Sequence, residues 1–195
     1  FGIVVVDLDK EEIKDTYIIG ALSSQLKVKD IHISNDTIYA LTEDEIKYAP
    51  LNNGFLSNSS VWSSHDLPNG SQIDQLESFG NDFFAFGSSK TIFKYSNNQW
   101  DTLIYQPNES LRNFKVINQD LIICSLNSIE IYDQNLQLLN EFFAYDATTS
   151  MSPNDIIKED GYYWIADNKK GFNRFSENRE SDPIVNGGPF SNDCF

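Results

Sequence analysis

Positively charged residues are scarce in this chain of 195 residues. It has 14 Lys and Arg against 29 Asp and Glu, which gives a net charge of −15 and a pI near 4.3. Such a surface repels phosphate backbones and anionic membranes, so the composition argues against nucleic-acid binding and simple membrane adsorption. The acidic residues are spread along the sequence, as is typical of a solvated surface.

Cysteine and long apolar runs are also lacking. Cys124 and Cys194 are too few for a disulfide framework, and Cys124, within LIICSL, is predicted to be a small buried hydrophobe. No run approaches the roughly 20 apolar residues that a membrane helix requires. The opening FGIVVVDL is too short for one and is predicted to be a strand. The sequence therefore predicts no transmembrane segment.

No strong catalytic motif occurs: HExxH, GxSxG, CxxC, a phosphate-binding glycine loop and an EF-hand loop are all missing. The two histidines are His32 and His65. Ser64, His65 and Asp66 are adjacent, but a strand would place His65 on the face opposite the other two, which rules out a triad. We therefore predict no enzyme, no catalytic residue and no cofactor.

Two acidic stretches, DLDKEE at 7–12 and TEDE at 42–45, carry carboxylates that could converge on calcium. Neither has the glycine turn of a defined calcium loop. We interpret both as solvated hairpin tips and predict no metal site.

A strand–turn–strand pattern recurs along the chain. Its copies contain Asp36, Asp82, Asp120 and Asp160, and the last copy reads EDGYYWIADNKKGFNRF. The interval of about 40 residues, with four strand signals in each unit, is typical of a β-propeller blade. Alternating runs at 26–34, 71–79, 111–118 and 152–159 precede the hairpins, and looser runs follow them.

The sequence therefore predicts an all-β propeller segment that forms a single domain over 1–195. Four complete four-stranded blades are expected at roughly 26–68, 69–108, 109–149 and 150–190. Residues 1–25 would form a partial blade of two strands, and 191–195 would begin the next blade.

Trp164 lies in the most aromatic hairpin. Alternation places Tyr162, Trp164 and Ala166 on one face and Tyr163 and Ile165 on the other. We expect neighbouring blades to bury both faces. The hairpin is therefore interpreted as scaffold in preference to a carbohydrate-stacking site.

The two ends of the chain resemble the opening propeller of PorZ, a component of the type IX secretion system. The resemblance lies in GIVVVDLDKEEIKDTYIIG at the start, and in WIADNKKGFNRF followed by NGGPFSNDCF at the end. It implies an exported protein with two consecutive seven-bladed propellers and a β-sandwich, so that this chain would be a segment of the first ring.

The resemblance also implies a location on the cell surface, at the outer face of the outer membrane. The protein partners would be a sortase-like peptidase and outer-membrane components of an attachment complex, which joins secreted cargo to anionic lipopolysaccharide. No enzymatic residue is implied in this propeller. Because the net charge is −15, any lipopolysaccharide is expected to bind other regions of the full protein.

A second family gives an alternative. The pattern around Trp164 also resembles periplasmic propellers of hybrid two-component sensors, which bind glycan fragments. Those propellers repeat the Trp-Ile hairpin in nearly every blade, whereas here the other copies read IYAL, FFAF and LIIC. This difference favours the secretion family.

Partner contacts are expected in loops that share one face of the propeller. These are 68–71, 107–110 and 147–153, with the hairpin tips 42–45, 88–90 and 167–171. The chain alone is expected to be an open arc with association-prone apolar faces at 3–6 and 162–164. The alternative is a closed five-bladed ring, in which 191–195 joins the N-terminal strands.

Overall fold

The structure, a computed structural model, describes residues 2–21, 24–68, 71–80, 82–87, 91–97, 99–105, 110–145, 150–176 and 181–182. The predicted start of a further blade at 191–195, and with it Cys194, lies outside these residues. The chain forms two compact units, Phe1–Ser78 with Phe83–Leu103, and Phe79–Asp82 with Ile104–Phe195. Within the described part, no helix is long and apolar enough to cross a membrane.

The first unit contains a two-stranded sheet and two four-stranded sheets. The two-stranded sheet pairs β1 (Ile3–Asp7) with β2 (Glu12–Tyr17). The next sheet has the order β3 (Asp30–Ser34), β4 (Thr37–Leu41), β5 (Glu45–Pro50) and β6 (Ser63–Asp66). The third sheet is formed by β7 (Ile73–Phe79), β8 (Asp82–Gly87), β9 (Thr91–Ser96) and β10 (Gln99–Tyr105).

The second unit contains two four-stranded sheets, and in each the neighbouring strands follow one another along the chain. One is β11 (Leu111–Ile117), β12 (Asp120–Ser125), β13 (Ile129–Tyr132) and β14 (Leu138–Phe142). The other is β15 (Pro153–Glu159), β16 (Tyr162–Asp167), β17 (Gly171–Ser176) and β18 (Ser181–Asp182). The strand pairs with a described register are all antiparallel, as in β15–β16 and β16–β17.

Residues of the recurring pattern make the first turn of three four-stranded sheets, at 35–36, 118–119 and 160–161. Asn35 and Asp36 have φ of 47° and 56°, and Asp160 and Gly161 have φ of 52° and 77°. A two-residue loop with two positive φ angles is a type I′ turn, whose twist matches that of the strands it joins. Asn and Gly tolerate this conformation better than most residues, which explains the sequence repeat.

The middle sheet of the first unit packs against a neighbour on each face. Ile38 and Ala40 pack with Ile3 of the two-stranded sheet. Leu41 and Ile46 pack on the other side, in a cluster with residues of β7, β8 and β9. Each large aliphatic side chain buried in this way contributes roughly 1.5–3 kcal/mol, so sheet stacking is the main stabilising contact.

The second unit has a core of the same kind. Ile122 and Cys124 of β12 and Ile129 of β13 pack against Ile156, Tyr163, Ile165 and Phe175 of the following sheet. Cys124 is fully buried, as predicted. Burial raises the pKa of its thiol to about 12, so the thiol stays protonated at neutral pH. The four four-stranded sheets confirm the all-β class with blade-like sheets.

One expectation about burial is wrong. Only one face of β16 is buried: Tyr163 and Ile165 are covered, whereas Trp164 is half-buried and Ala166 is exposed. On β3, Ile31 and Ile33 are 44% and 55% exposed, while His32 between them is half-buried. The two-stranded sheet therefore leaves these isoleucines partly uncovered.

We expect the isolated chain to self-associate at micromolar concentration. Val4, Val6 and Ile13 are 49%, 52% and 69% exposed, and Val6 lies directly opposite Ile13 in the β1–β2 register. An apolar face of this kind drives association. Static light scattering should show species larger than a monomer, and Val4→Glu with Val6→Glu should shift the population towards the monomer. Leu51→Glu, at a separate exposed leucine, is the control. A monomeric parent chain would contradict this prediction.

Candidate functional site

A polar cleft of about 630 Å³ opens in the first unit, where the β4–β5 tip meets the β6–β7 connection. Its acidic lining residues are Glu43, Asp44 and Asp66. Its remaining lining residues are Lys27, Lys29, Leu67, Ser71 and Gln72. Two of the loop regions predicted to share a face, 42–45 and 68–71, therefore meet at one site.

The β4–β5 tip is held by a buried threonine. The Thr42 hydroxyl donates to the carbonyl of Glu45 at 2.7 Å and accepts from the amide of Glu45 at 3.1 Å. The same turn has a backbone bond from the Thr42 amide to the Glu45 carbonyl at 3.0 Å. These bonds close the turn from below and leave Glu43 and Asp44 exposed at the rim of the cleft.

The two lysines of the cleft differ in how firmly they are held. Lys29 donates to the carbonyl of Ile73 and to the carboxylate of Asp74 at 2.6 Å, which joins the chain before β3 to β7. Lys27 lies 3.3 Å from the Glu43 carboxylate, with both side chains largely exposed. An exposed pair of this kind contributes little stability and can exchange its partner. The cleft thus has a fixed charge at its base and exchangeable charges at its rim.

An aromatic seam lies between the two four-stranded sheets of the first unit. It consists of Tyr39, Tyr48, His65, Phe83, Tyr95 and Trp100. His65 stacks on Tyr48 with ring centroids 4.3 Å apart, and the Tyr95 hydroxyl lies 3.2 Å from its Nδ1. Burial lowers the pKa of His65, against a smaller opposing effect of Asp66.

Ser64 and His65 have separate partners, which agrees with the prediction of no triad. The Lys47 ammonium donates to the Ser64 hydroxyl at 2.8 Å. His65 lies on the opposite face of β6, in the aromatic seam. The Ser64 hydroxyl also forms a hydrogen bond with the Glu45 carboxylate, so its described partners are Lys47 and Glu45 and not His65.

His32 packs on the inner part of the same pair of sheets. Its Nε2 lies 2.8 Å from the Ser78 hydroxyl, and its Nδ1 lies 3.8 Å from the Glu77 carboxylate. Burial lowers the pKa of His32, and the negative charge of Asp30 opposes this effect. Both histidines therefore pack between sheets of the first unit.

Asp167 anchors the tip 167–171 in the second unit. Sequence reasoning named this tip but did not predict the role of Asp167. One carboxylate oxygen accepts from the amides of Lys169 and Lys170, each at 2.8 Å. The other accepts from the Tyr145 hydroxyl at 2.8 Å and from the Ser152 amide at 2.5 Å. Burial alone would raise the pKa of Asp167, but these four hydrogen bonds hold it below its usual value.

The position of Asp167 within the repeat could have predicted this anchor. Ser125 and Asp167 end the second strand of a sheet and Thr42 directly follows one; all three are buried and begin a hairpin tip. Thr42 and Ser125 form hydrogen bonds within their own tips. Asp167 also reaches the connection that precedes its sheet, because a carboxylate has two oxygens and accepts several bonds.

The acidic stretches form ordinary turns. The Asp7 carboxylate accepts from the amides of Asp9 and Lys10 at 3.2 Å, and Lys10 pairs with Asp7 and Glu12 at 3.7 Å. In the second stretch, Glu45 pairs with Lys47 at 2.9 Å. No group of three or more metal-binding side chains occurs among the described residues.

The remaining predicted loops are described only in part. The tip 88–90 lies outside the described residues, as do 69–70, 107–109 and 147–149 within their loops. Trp164 stacks on Phe172 with centroids 5.4 Å apart, and the Arg174 guanidinium lies 5.2 Å from its ring. These side chains cover part of the Trp164 ring.

Residues 1–63 match the family model of the TSS9 protein PorZ, N-terminal beta-propeller domain. The chain resembles the N-terminal propeller of PorZ. The model covers the first of the two distinctive ends, the stretch that contains β1 and β2. No curated protein matches the chain at significant similarity.

Solved structures of two kinds share the fold. One is PorZ of Porphyromonas gingivalis, described as an essential bacterial surface component of the type-IX secretion system. Its TM-score is 0.69 and its sequence identity is 20%. The match covers 99% of this chain and 25% of that chain. The other is the extracellular domain of a putative hybrid two-component system from B. thetaiotaomicron, with a TM-score of 0.69, 12% identity, and coverage of 96% and 26%. This chain thus spans about a quarter of the length of either solved chain.

We expect Asp167→Ala to destabilise the second unit by about 2–5 kcal/mol, because it leaves a buried hydroxyl and three amides without their acceptor. Urea unfolding at neutral pH measures the change, and Asp44→Ala on an exposed tip is the control. Since the folded-state pKa of Asp167 is lowered, its contribution is present above the unfolded carboxyl pKa and is lost as the pH falls through the folded value. The free energies of unfolding of the parent chain and of Asp167→Ala should therefore converge at acidic pH. Equal stability at neutral pH would contradict the anchoring role.

We expect the first unit to lose stability as the pH falls through about 6.5, the usual histidine pKa. The folded-state pKa values of His32 and His65 are lowered, so the unfolded chain binds more protons in this range. Urea midpoints at about pH 7.5 and about pH 5.5 measure the loss. His65→Phe keeps the stacking on Tyr48 and should reduce the pH dependence. An unchanged dependence in His65→Phe with His32→Gln would show that other groups cause it.

Proposed function

We propose that the chain is a non-catalytic propeller scaffold of a cell-surface attachment complex of the type IX secretion system. In this role it mediates protein–protein contacts while a sortase-like peptidase anchors secreted cargo to lipopolysaccharide. The observation that carries the proposal is the match of residues 1–63 to the PorZ N-terminal propeller. The arrangement of His65 and Ser64 supports a role without catalysis, because their partners are structural.

The cleft of the first unit is the proposed contact site for a partner loop. Its rim carries Glu43, Asp44 and Lys27, and its base carries Lys29 bound to Asp74. A lining of both charge signs suits a polar peptide loop better than an apolar small molecule. A Lys or Arg of the partner would replace Lys27 beside Glu43 and approach Asp44.

The proposed location is the outer face of the outer membrane, and the proposed partners are the peptidase and outer-membrane components of the complex. Lipopolysaccharide would bind other regions of the full protein, because a net charge of −15 repels an anionic glycolipid. The chain contributes steering and docking for partners of positive charge.

A sensory role in the periplasm is the second candidate, and the hybrid two-component neighbour with a TM-score of 0.69 favours it. A sensor of this class would bind glycan fragments through aromatic side chains. The half-buried Trp164, packed between Phe172 and Arg174, is the aromatic residue to test in that case. Protease accessibility on intact cells separates the two candidates, since a surface protein is digested and a periplasmic one is protected.

We expect Glu43→Lys with Asp44→Lys, introduced into the full-length protein in its own bacterium, to reduce co-purification of the peptidase at least about fivefold. The charge reversal replaces two rim carboxylates with like charges, which repel a basic partner loop. Folding should be unchanged, because both residues are exposed and Thr42 holds the turn.

The matched control is Asp9→Lys with Glu12→Lys, which makes the same change of charge in the β1–β2 hairpin outside the cleft. Co-purification should then stay at the level of the parent protein. Equal co-purification in all three proteins would remove the cleft from the contact surface. A parent protein that never co-purifies with the peptidase would overturn the secretion assignment itself.

A further inference from the structure

The connection between β5 and β6, residues 51–62, is the longest of those that join paired strands within one sheet. Leu56 and Trp62 are both buried in the core, and the Trp62 indole N–H donates to the carbonyl of Leu56 at 2.9 Å. Phe55, next to Leu56, is 72% exposed. The loop is therefore anchored by its second half and presents most of its first half to solvent.

Asn53 and Gly54 form a turn in the exposed half of this loop. The Asn53 amide donates to the carbonyl of Pro50 at 3.0 Å, and the Asn53 side-chain Oδ1 accepts from the amide of Phe55 at 2.9 Å. The second bond closes an Asx turn, in which the side chain of an asparagine imitates a backbone turn. The closed ring contains the nitrogen of Gly54, so the turn holds the Asn53 side-chain carbon Cγ and that nitrogen near each other.

Three features of this turn favour attack of the Gly54 nitrogen on the Asn53 Cγ. A Cβ placed on Gly54 would meet no atom within 4 Å, so solvent reaches this residue and its backbone is free to rotate. The Gly54 amide has no hydrogen-bond partner among the residues that the structure describes. The Phe55 amide donates to the oxygen that becomes negative in the attack, as a donor in an oxyanion hole does.

We propose that Asn53 is a site of spontaneous deamidation, a reaction to which asparagine is prone. Hydroxide removes the amide proton of Gly54, and the nitrogen forms a bond to Cγ while the carbonyl oxygen takes up the electron pair. The bond from Cγ to Nδ2 then breaks, Nδ2 leaves as ammonia with a proton from water, and a succinimide remains. Water opens this ring at either carbonyl and gives aspartate or isoaspartate. The reaction consumes only water, and it does not depend on the secretion assignment.

Asn58, on the same loop, has the same hydrogen bond without the glycine. Its Oδ1 accepts from the amide of Ser60 at 3.0 Å, so its carbonyl is polarised as that of Asn53 is. The next residue, Ser59, carries a side chain beside the attacking nitrogen and begins a 3-10 turn that restrains backbone rotation. Asn58 is therefore expected to stay intact, and it separates the effect of the glycine from that of the hydrogen bond.

The reaction changes the longest uncharged stretch of the chain. Residues 48–64 contain no Asp, Glu, Lys or Arg. Both products add a carboxylate there, and isoaspartate also turns the acceptor of the Phe55 amide into a main-chain carbonyl. The exposed Phe55 ring then loses the turn that directs it, while Leu56 and Trp62 keep the rest of the loop on the core. Hydrogen exchange at the Phe55 amide should be faster in the reacted chain, and unchanged exchange would contradict the loss of the turn.

The test keeps the complete chain at about pH 8.5 and about 37 °C, where hydroxide drives the first step. Mass spectrometry of peptic peptides should show a gain of about 1 Da at residue 53, with aspartate and isoaspartate distinguished by electron-transfer fragmentation. Asn58 should react at least about tenfold more slowly. Asn69 and Asn186, which also precede glycine, are followed in separate peptides.

Gly54→Ala should slow the reaction at Asn53 about tenfold or more, because a Cβ restrains the backbone. Ser57→Ala, an exposed position on the same loop, is the control and should react as the parent does. An acetylated and amidated peptide of residues 50–57 gives the rate without the fold, and the folded chain should react at least as fast, because its turn is preformed. Intact Asn53 in the parent chain, a slower reaction than in the peptide, or equal reaction at Asn58 would each overturn the proposal.

Discussion

Each four-stranded sheet of this protein has apolar side chains on both faces, and a single sheet cannot bury either face by itself. Stacking against a neighbour is therefore the constraint on which the structure depends. The second sheet shows this in full: Ile38 packs to one side with Ile3, and Ile46 packs to the other side with Phe93. The same requirement explains why histidines, tyrosines and even Cys124 are found between sheets.

Local sequence was enough to predict the strands and hairpins, because each hairpin contains its own turn residues. Asn35, Asn118 and Asp160 adopt positive φ angles where the repeat placed them. The opposite faces of Ser64 and His65 could also be predicted, since alternation along a strand requires no knowledge of neighbours. The burial of Cys124 followed from its apolar surroundings in LIICSL.

The contacts between sheets could not be predicted, because they depend on the register of one sheet against the next. The stacking of His65 on Tyr48 joins adjacent strands, but its contact with Tyr95 crosses to another sheet. The same holds for Lys29, which reaches Ile73 and Asp74 from the chain before β3. The exposure of Trp164 was misjudged for a related reason: alternation gives the face of a residue but not whether a neighbour covers it.

The type I′ turns restrict insertions and substitutions more strongly at one end of the sheets than at the other. A two-residue loop with two positive φ angles, as at Asn35–Asp36 and Asp160–Gly161, admits neither insertions nor most substitutions without shifting the register of the strands. The opposite ends of the sheets carry the connections from one sheet to the next and the tips closed by side chains such as Thr42 and Asp167. Those ends can accept added residues while the stacked faces stay in place. New binding specificities can therefore arise at one end of the sheets while the other end keeps the strands in register.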